Sequence, residues 1–233
     1  MGMSVRITSD HVEADTSVSL RPAGWAGVVA ASAFLVQPLS VAFLPFDLQE
    51  IHDPVELTSY WWAGSLQAAQ FLLIALAVLV MVTQLRRTWP RSALGDVAVV
   101  AGAVTAAAFL LEAALSAATY SRWLMMETVS FSDDPTVRGA VLFSTYVVGY
   151  SFLGAASLAT AVWLVGVVFL GRRRAYVGLA MSVILLALAM LLVVGTVTGF
   201  AIPTAILHVV AWAVLGVRLL RISSLPLQAS VAP

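Results

Sequence analysis

An all-α bundle of six membrane-spanning helices with both chain ends in the cytoplasm is the fold this sequence predicts, and three observations predict it. Six long apolar stretches lie between Ala23 and Leu220, each close to the ~20 residues that match a hydrocarbon core of about 30 Å. Of 233 residues, 61% are hydrophobic and 10% charged, with a mean hydropathy of +0.98, against roughly 25% charged in a soluble domain. The short segments between the stretches alternate between arginine-rich and acid-rich. Lipid tails cannot satisfy backbone polar groups, so spans are helices or closed barrels. Unbroken apolar runs, rather than ten-residue alternations, select helices.

The spans fall at 23–45, 58–83, 94–119, 140–170, 175–200 and 203–221, leaving 1–22 and 222–233 as tails of a single domain. All twelve positive charges are arginine, clustered at Arg6 and Arg21, at Arg86, Arg87 and Arg91, at Arg172, Arg173 and Arg174, and at Arg218 and Arg221. An even number of spans puts these clusters on one side, with only Arg122 and Arg138 opposite, and the positive-inside rule makes that side cytoplasmic. The outer segments are then Phe46 to Leu57 and Tyr120 to Arg138, plus a tight turn around Pro203. Tyr60, Trp61, Trp62, Tyr120 and Trp123 stand at the outer boundary and Trp89 and Tyr176 at the inner one, as an aromatic belt.

The fourth span runs from Gly139 to Gly171, a rise of about 48 Å at 1.5 Å per residue, so it must tilt, kink or project. Ser151, Ala155 and Ala159 at four-residue spacing mark it as a close-packing central element. The N-terminal twenty residues, with Arg6 against Asp10, Glu13 and Asp15, do not read as a secretory signal. The arginine-only, Ala/Val/Leu-rich composition reads as that of a GC-rich bacterium, which assigns the chain to the bacterial plasma membrane.

Composition also excludes chemistry. Zero formal net charge offers no field for nucleic acid. The absence of cysteine removes disulfides, thiolate-ligated metals and thiol redox catalysis. One histidine inside the spans is too few for bis-histidine haem, and no nucleotide motif is present. Ser151 and His208 on separate spans invite comparison with intramembrane serine proteases, but Phe152 stands where a glycine is required.

Ionisable groups inside a bilayer cost about 2.5–3.5 kcal/mol on insertion scales, so each needs a reason. Glu112 on the third span and His208 on the sixth are the deep ones, both in the outer third and at similar depth. Gln37, Gln67, Gln70, Ser116, Tyr146, Tyr150, Ser151, Thr196 and Thr198 fall near that level, while the inner halves are almost purely apolar. This asymmetry predicts a polar pocket open to the outside, built from Glu112, His208, Gln37, Gln67, Gln70, Tyr150 and Ser116. The competing reading is that these groups pair among themselves as interhelical glue. In the first outer loop Asp47, Glu50, His52 and Asp53 form a candidate cation site, although they lack the spacings of known metal motifs and also suit a solvated acidic loop.

Several features resemble uncharacterised bacterial families of six-helix membrane proteins, catalogued as domains of unknown function. They are Arg21-Pro22-Ala23-Gly24 opening the first span, Gly149-Tyr150 and Gly154 in the fourth, Arg172-Arg173-Arg174 through Tyr176 and Gly178 into the fifth, and Pro203, Trp212 and Gly216 in the sixth. The resemblance implies a compact inner-membrane protein and carries no activity with it. The leading functional expectation is a binding or transport component for a small molecule or ion. The alternatives are an accessory subunit packed against other membrane subunits or its own copies, and a membrane-embedded enzyme acting on a lipid with Glu112 and His208 as acid and base.

Overall fold

A computed structural model describes residues 19–42, 61–119, 134–199 and 201–223, and these are helical apart from short turns. The helices are α1 (Arg21–Ala42), α2 (Trp61–Thr88), α3 (Ala93–Thr119), α4 (Pro135–Arg173), α5 (Leu179–Thr198) and α6 (Ala201–Ser223). Five of them, α2 through α6, are long and apolar enough to cross a membrane. The described apolar part of α1, Arg21–Val36, is shorter than a span.

Local chemistry sets the helix ends. Asp134 caps α4, its carboxylate accepting the Thr136 N–H at 2.8 Å, and Pro135 occupies the first turn, where no backbone donor is needed. Gly199 ends α5 at φ 77°, a left-handed conformation that costs glycine nothing. The turn expected around Pro203 therefore lies at Gly199, and Pro203 sits within the first turn of α6, where its missing N–H is harmless.

Each helix packs against the next, and α6 returns to α1, so the bundle is a closed ring in chain order. The closing seam is the tightest. A Cβ placed on Gly27 would lie 2.8 Å from Gly216 Cα and 2.9 Å from the Trp212 carbonyl oxygen, and one on Gly24 would lie 2.7 Å from the Leu220 side chain. Glycine permits this backbone contact, and in a bilayer such close dispersion contact is what holds helices together. The pairing of Gly24 with Leu220 and of Gly27 with Gly216 makes α1 and α6 antiparallel. Contacts of Gly102 with Val82 and of Phe71 with Phe109 do the same for α2 and α3, and those of Gly166 with Ala98 and Gly149 with Glu112 for α3 and α4.

Rings fill the middle of this assembly. Phe34 from α1, Phe71 from α2, Phe109 from α3, Trp163 from α4, and His208 and Trp212 from α6 are all buried and form a chain of ring contacts at 5.2–6.4 Å between centroids. Helix α5 adds no ring; it packs on α4 and α6 through Leu185, Leu188 and Leu192.

Helix α4 solves its excess length by projecting. Gly149, fourteen residues from the start of α4, meets Glu112, which is seven residues from the end of α3, so α4 outreaches α3 by about 10 Å there. Its buried face runs through Ala156, Thr160, Trp163, Val167 and Leu170. The stripe of Ser151, Ala155 and Ala159 is therefore not the central packing surface expected of it. Ser151 and Ala155 are exposed and Ala159 is half-buried, because they lie on the side of α4 turned away from the ring of aromatics.

The arginine-bearing ends meet at one end of the bundle. There Arg86 bridges Asp96 at 3.0 Å and Arg218 donates to the Tyr176 carbonyl at 3.2 Å. Trp89 and Tyr176, expected to face lipid as belt residues, are instead buried against each other. The Trp89 indole N–H donates to the Tyr176 hydroxyl and ties the α2–α3 turn to the α4–α5 turn. Burial holds the Tyr176 phenol above its ordinary pKa, so it stays a neutral hydrogen-bonding group. Tyr176→Phe leaves the indole donor unpaired and is expected to lower stability by about 1–3 kcal/mol, read as a fall in the midpoint of thermal unfolding in detergent. Of the five aromatic residues expected at the opposite boundary, Trp61 and Trp62 are exposed, while Tyr60, Tyr120 and Trp123 lie outside the described residues.

Candidate functional site

Helix α3 carries one continuous buried face, Ala98, Ala101, Thr105, Phe109, Glu112 and Ser116, at the three- and four-residue spacing that stacks side chains along a helix. In the half bearing the arginines, this face is sealed by Gly102 against Val82 and Trp163 and by the contact of Thr105 with Thr160, whose hydroxyls lie 3.4 Å apart. Toward the other end the same face delivers Glu112 to the backbone of α4. A Cβ on Gly149 would stand 3.0 Å from Oε2 and 3.3 Å from Oε1 of Glu112, so the glycine makes the room the carboxylate occupies. Glu112 is 8% exposed, and its Oε2 has no hydrogen-bond partner.

His208 is fixed by its own helix. Its Nδ1 lies 2.8 Å from the Thr204 carbonyl, which can only accept, so Nδ1 carries the hydrogen. In the neutral ring Nε2 then presents a bare lone pair, and that atom is buried and unpartnered. The ring stacks on Phe34 at 5.2 Å and on Trp212 at 6.4 Å, with Phe109 edge-on at 5.8 Å. Glu112 and His208 make no hydrogen bond or ion pair with each other. Phe109, one turn from Glu112 on the same face of α3, is the ring of that helix that meets His208.

Gln70 on α2 directly precedes Phe71, which stacks on Phe109 at 6.2 Å. Both its amide oxygen and its amide nitrogen are buried without partners. The indole N–H groups of Trp163 and Trp212 are in the same condition. Leaving a buried donor or acceptor unpaired costs on the order of 1–3 kcal/mol, and most buried polar groups in folded proteins avoid it. Of the five such side chains among the described residues, His208, Trp163 and Trp212 belong to the chain of rings itself, and Gln70 and Glu112 lie on the helices that bring Phe71 and Phe109 to it.

The other expected pocket residues are placed variously. Ser116 is buried, one turn beyond Glu112, and Gln67 is half-buried. Tyr150 is 58% exposed, on the periphery. Its neighbour Gly149 is the α4 residue at Glu112, and one residue along a helix is about 100° of rotation. The hydroxyls of Ser151, Thr196 and Thr198 turn back to carbonyls four residues earlier on their own helices. The Gln37 side chain, Tyr146 and the loop bearing Asp47, Glu50, His52 and Asp53 lie outside the described residues; among those described, no group of three or more metal-ligating side chains occurs. Trp163 was missed by sequence reasoning. Tryptophan belongs at membrane boundaries, and one in the middle of a long span was the available signal.

The half of the bundle away from the arginines thus buries a carboxylate on α3, a primary amide on α2 and an imidazole acceptor on α6, each with hydrogen-bonding capacity left over. Comparisons with known proteins add no identity. No family model matches the chain, and no curated protein or solved structure is significantly similar to it. A functional reading of this chain therefore rests on the chemistry of these side chains.

Proposed function

We propose that this chain is a bacterial plasma-membrane protein of six spans, with both termini cytoplasmic, that binds or transports a small molecule or ion. The ligand enters from the outer side and engages Glu112, Gln70 and His208. The arginine-bearing end of the bundle supports the orientation through the positive-inside rule. One observation carries the site: the Glu112 carboxylate, the Gln70 amide and the His208 Nε2 are buried with unspent hydrogen-bonding capacity. A carboxylate so placed favours a cation, a proton or a donor-bearing ligand, and the amide and imidazole orient it. Gln37, Gln67 and Ser116 complete the polar set in this reading, and Tyr150 is left out because of its exposure.

Native mass spectrometry of the protein extracted in mild detergent tests the reading. A stoichiometric small molecule or ion that accompanies the wild type and is lost in Glu112→Gln is the expected result. Wild-type protein that carries other subunits and no small ligand would replace this reading with that of an accessory subunit.

A further inference from the structure

A second site lies away from the aromatic core, on the outer face between α3 and α4. The two helices touch toward the arginine end, where a Cβ on Gly166 would collide with Ala98 Cβ at 2.4 Å. Beyond that contact the short side chains of Ala101, Ala155 and Ala159 leave an open groove of about 580 Å³, walled by valines and Leu158. Its walls are apolar side chains apart from Asp96, so it accepts a segment of hydrocarbon chain laid along it. From Asp96 to Val104 it runs about 12 Å along α3.

The end of the groove decides what kind of chain fits. Asp96 lines it, 66% exposed, and is held by Arg86 at 3.0 Å. Every other charged residue described at this end of the bundle is an arginine: Arg21, Arg87, Arg91, Arg172, Arg173, Arg174, Arg218 and Arg221. A purely anionic headgroup meets the arginines but is repelled by Asp96. A headgroup carrying both a phosphate and a primary ammonium matches the pair, with phosphate on Arg86 and ammonium N–H groups on Asp96. A quaternary ammonium has no N–H to donate and matches less well.

We infer that the α3/α4 groove is a binding site for one phospholipid of the ethanolamine type, its acyl chain against Ala101, Ala155 and Ala159 and its headgroup across Arg86 and Asp96. The site is independent of Glu112 and His208.

The test is lipid retention by the full chain, purified from mixed micelles that hold equal amounts of phosphatidylethanolamine, phosphatidylcholine and phosphatidylglycerol with identical acyl chains. Native mass spectrometry identifies the lipid retained. Wild type is expected to keep phosphatidylethanolamine over each of the others by about two- to fivefold, the range that one exposed ammonium–carboxylate contact supplies. Asp96→Asn is expected to bring the ethanolamine-to-choline ratio to about one while lipid is still retained. The double variant Ala155→Leu with Ala159→Leu fills the groove and is expected to lose the bound lipid. Asp96→Asn removes one ion pair, to Arg86 at the exposed end of the groove, and leaves the packed helix faces untouched, so it decides the headgroup assignment should the filled groove disturb folding. Equal retention of all three lipids by wild type, preference for phosphatidylglycerol, or an unchanged preference in Asp96→Asn would each overturn the inference.

Discussion

Gly216→Leu is expected to abolish the closed bundle. The added Cβ would stand 2.8 Å from the Gly24 carbonyl oxygen, 2.8 Å from Val28 N and 3.0 Å from the Gly27 carbonyl carbon, all backbone atoms of α1 that have no rotamer to yield. Overpacking usually costs about 1–3 kcal/mol because side chains shift, but a clash against helix backbone requires the helices to separate, and a cost above about 4 kcal/mol is expected. Separation would draw His208 off Phe34 as well, since α6 and α1 meet through that stack at 5.2 Å. Gly139→Ala is the matched control. Nothing lies within 4 Å of its added methyl, and alanine suits a helix interior better than glycine by up to about 1 kcal/mol, so no loss of stability is expected. Thermal unfolding in detergent and the yield of folded protein report both variants. Equal behaviour of the two would mean that the α1/α6 seam is not closed as described.

The second large effect runs in the opposite direction. Gln70→Leu and Glu112→Leu remove buried polar atoms that have no partner in the protein, so each variant is expected to be more stable than wild type by about 1–3 kcal/mol in ligand-free protein. The same variants are expected to lose ligand. Binding groups held in an unfavourable state in the free protein cost stability for the sake of function. Interhelical glue behaves otherwise: removing one partner of a buried pair strands the other, and stability falls.

Much of the architecture was legible because it rests on length and charge. Runs of apolar residues long enough for the bilayer located the helices to within a few residues, except that α2 continues through Thr88 and α4 starts at Pro135. Polar turns at their ends placed the arginines together. Glu112 and His208 stood out because charge and imidazole are costly in lipid, and the structure buries both.

Rotation of each helix about its axis was not legible. When a helix is apolar on every side, no polar face says which residues look inward. Tyr150 and Gly149 were thus indistinguishable in the sequence, as were the exposed Ala155 and the buried Ala156. Phe34, Phe71, Phe109 and Trp163 were hidden for the same reason, since an aromatic ring within an apolar run suits lipid and core equally. Trp89 and Tyr176 show the complementary error. They do lie at the arginine-bearing end, but position along the chain does not reveal that their polar atoms meet each other.

The central claim is that the polar groups around the aromatic core are held for a ligand rather than for the fold. Thermal unfolding of Gln70→Leu and Glu112→Leu beside wild type, in the same detergent after exhaustive washing, tests it most directly. The account expects both midpoints to rise above that of wild type. Midpoints that fall in both variants would contradict it, and would make Gln70 and Glu112 part of what holds the helices together.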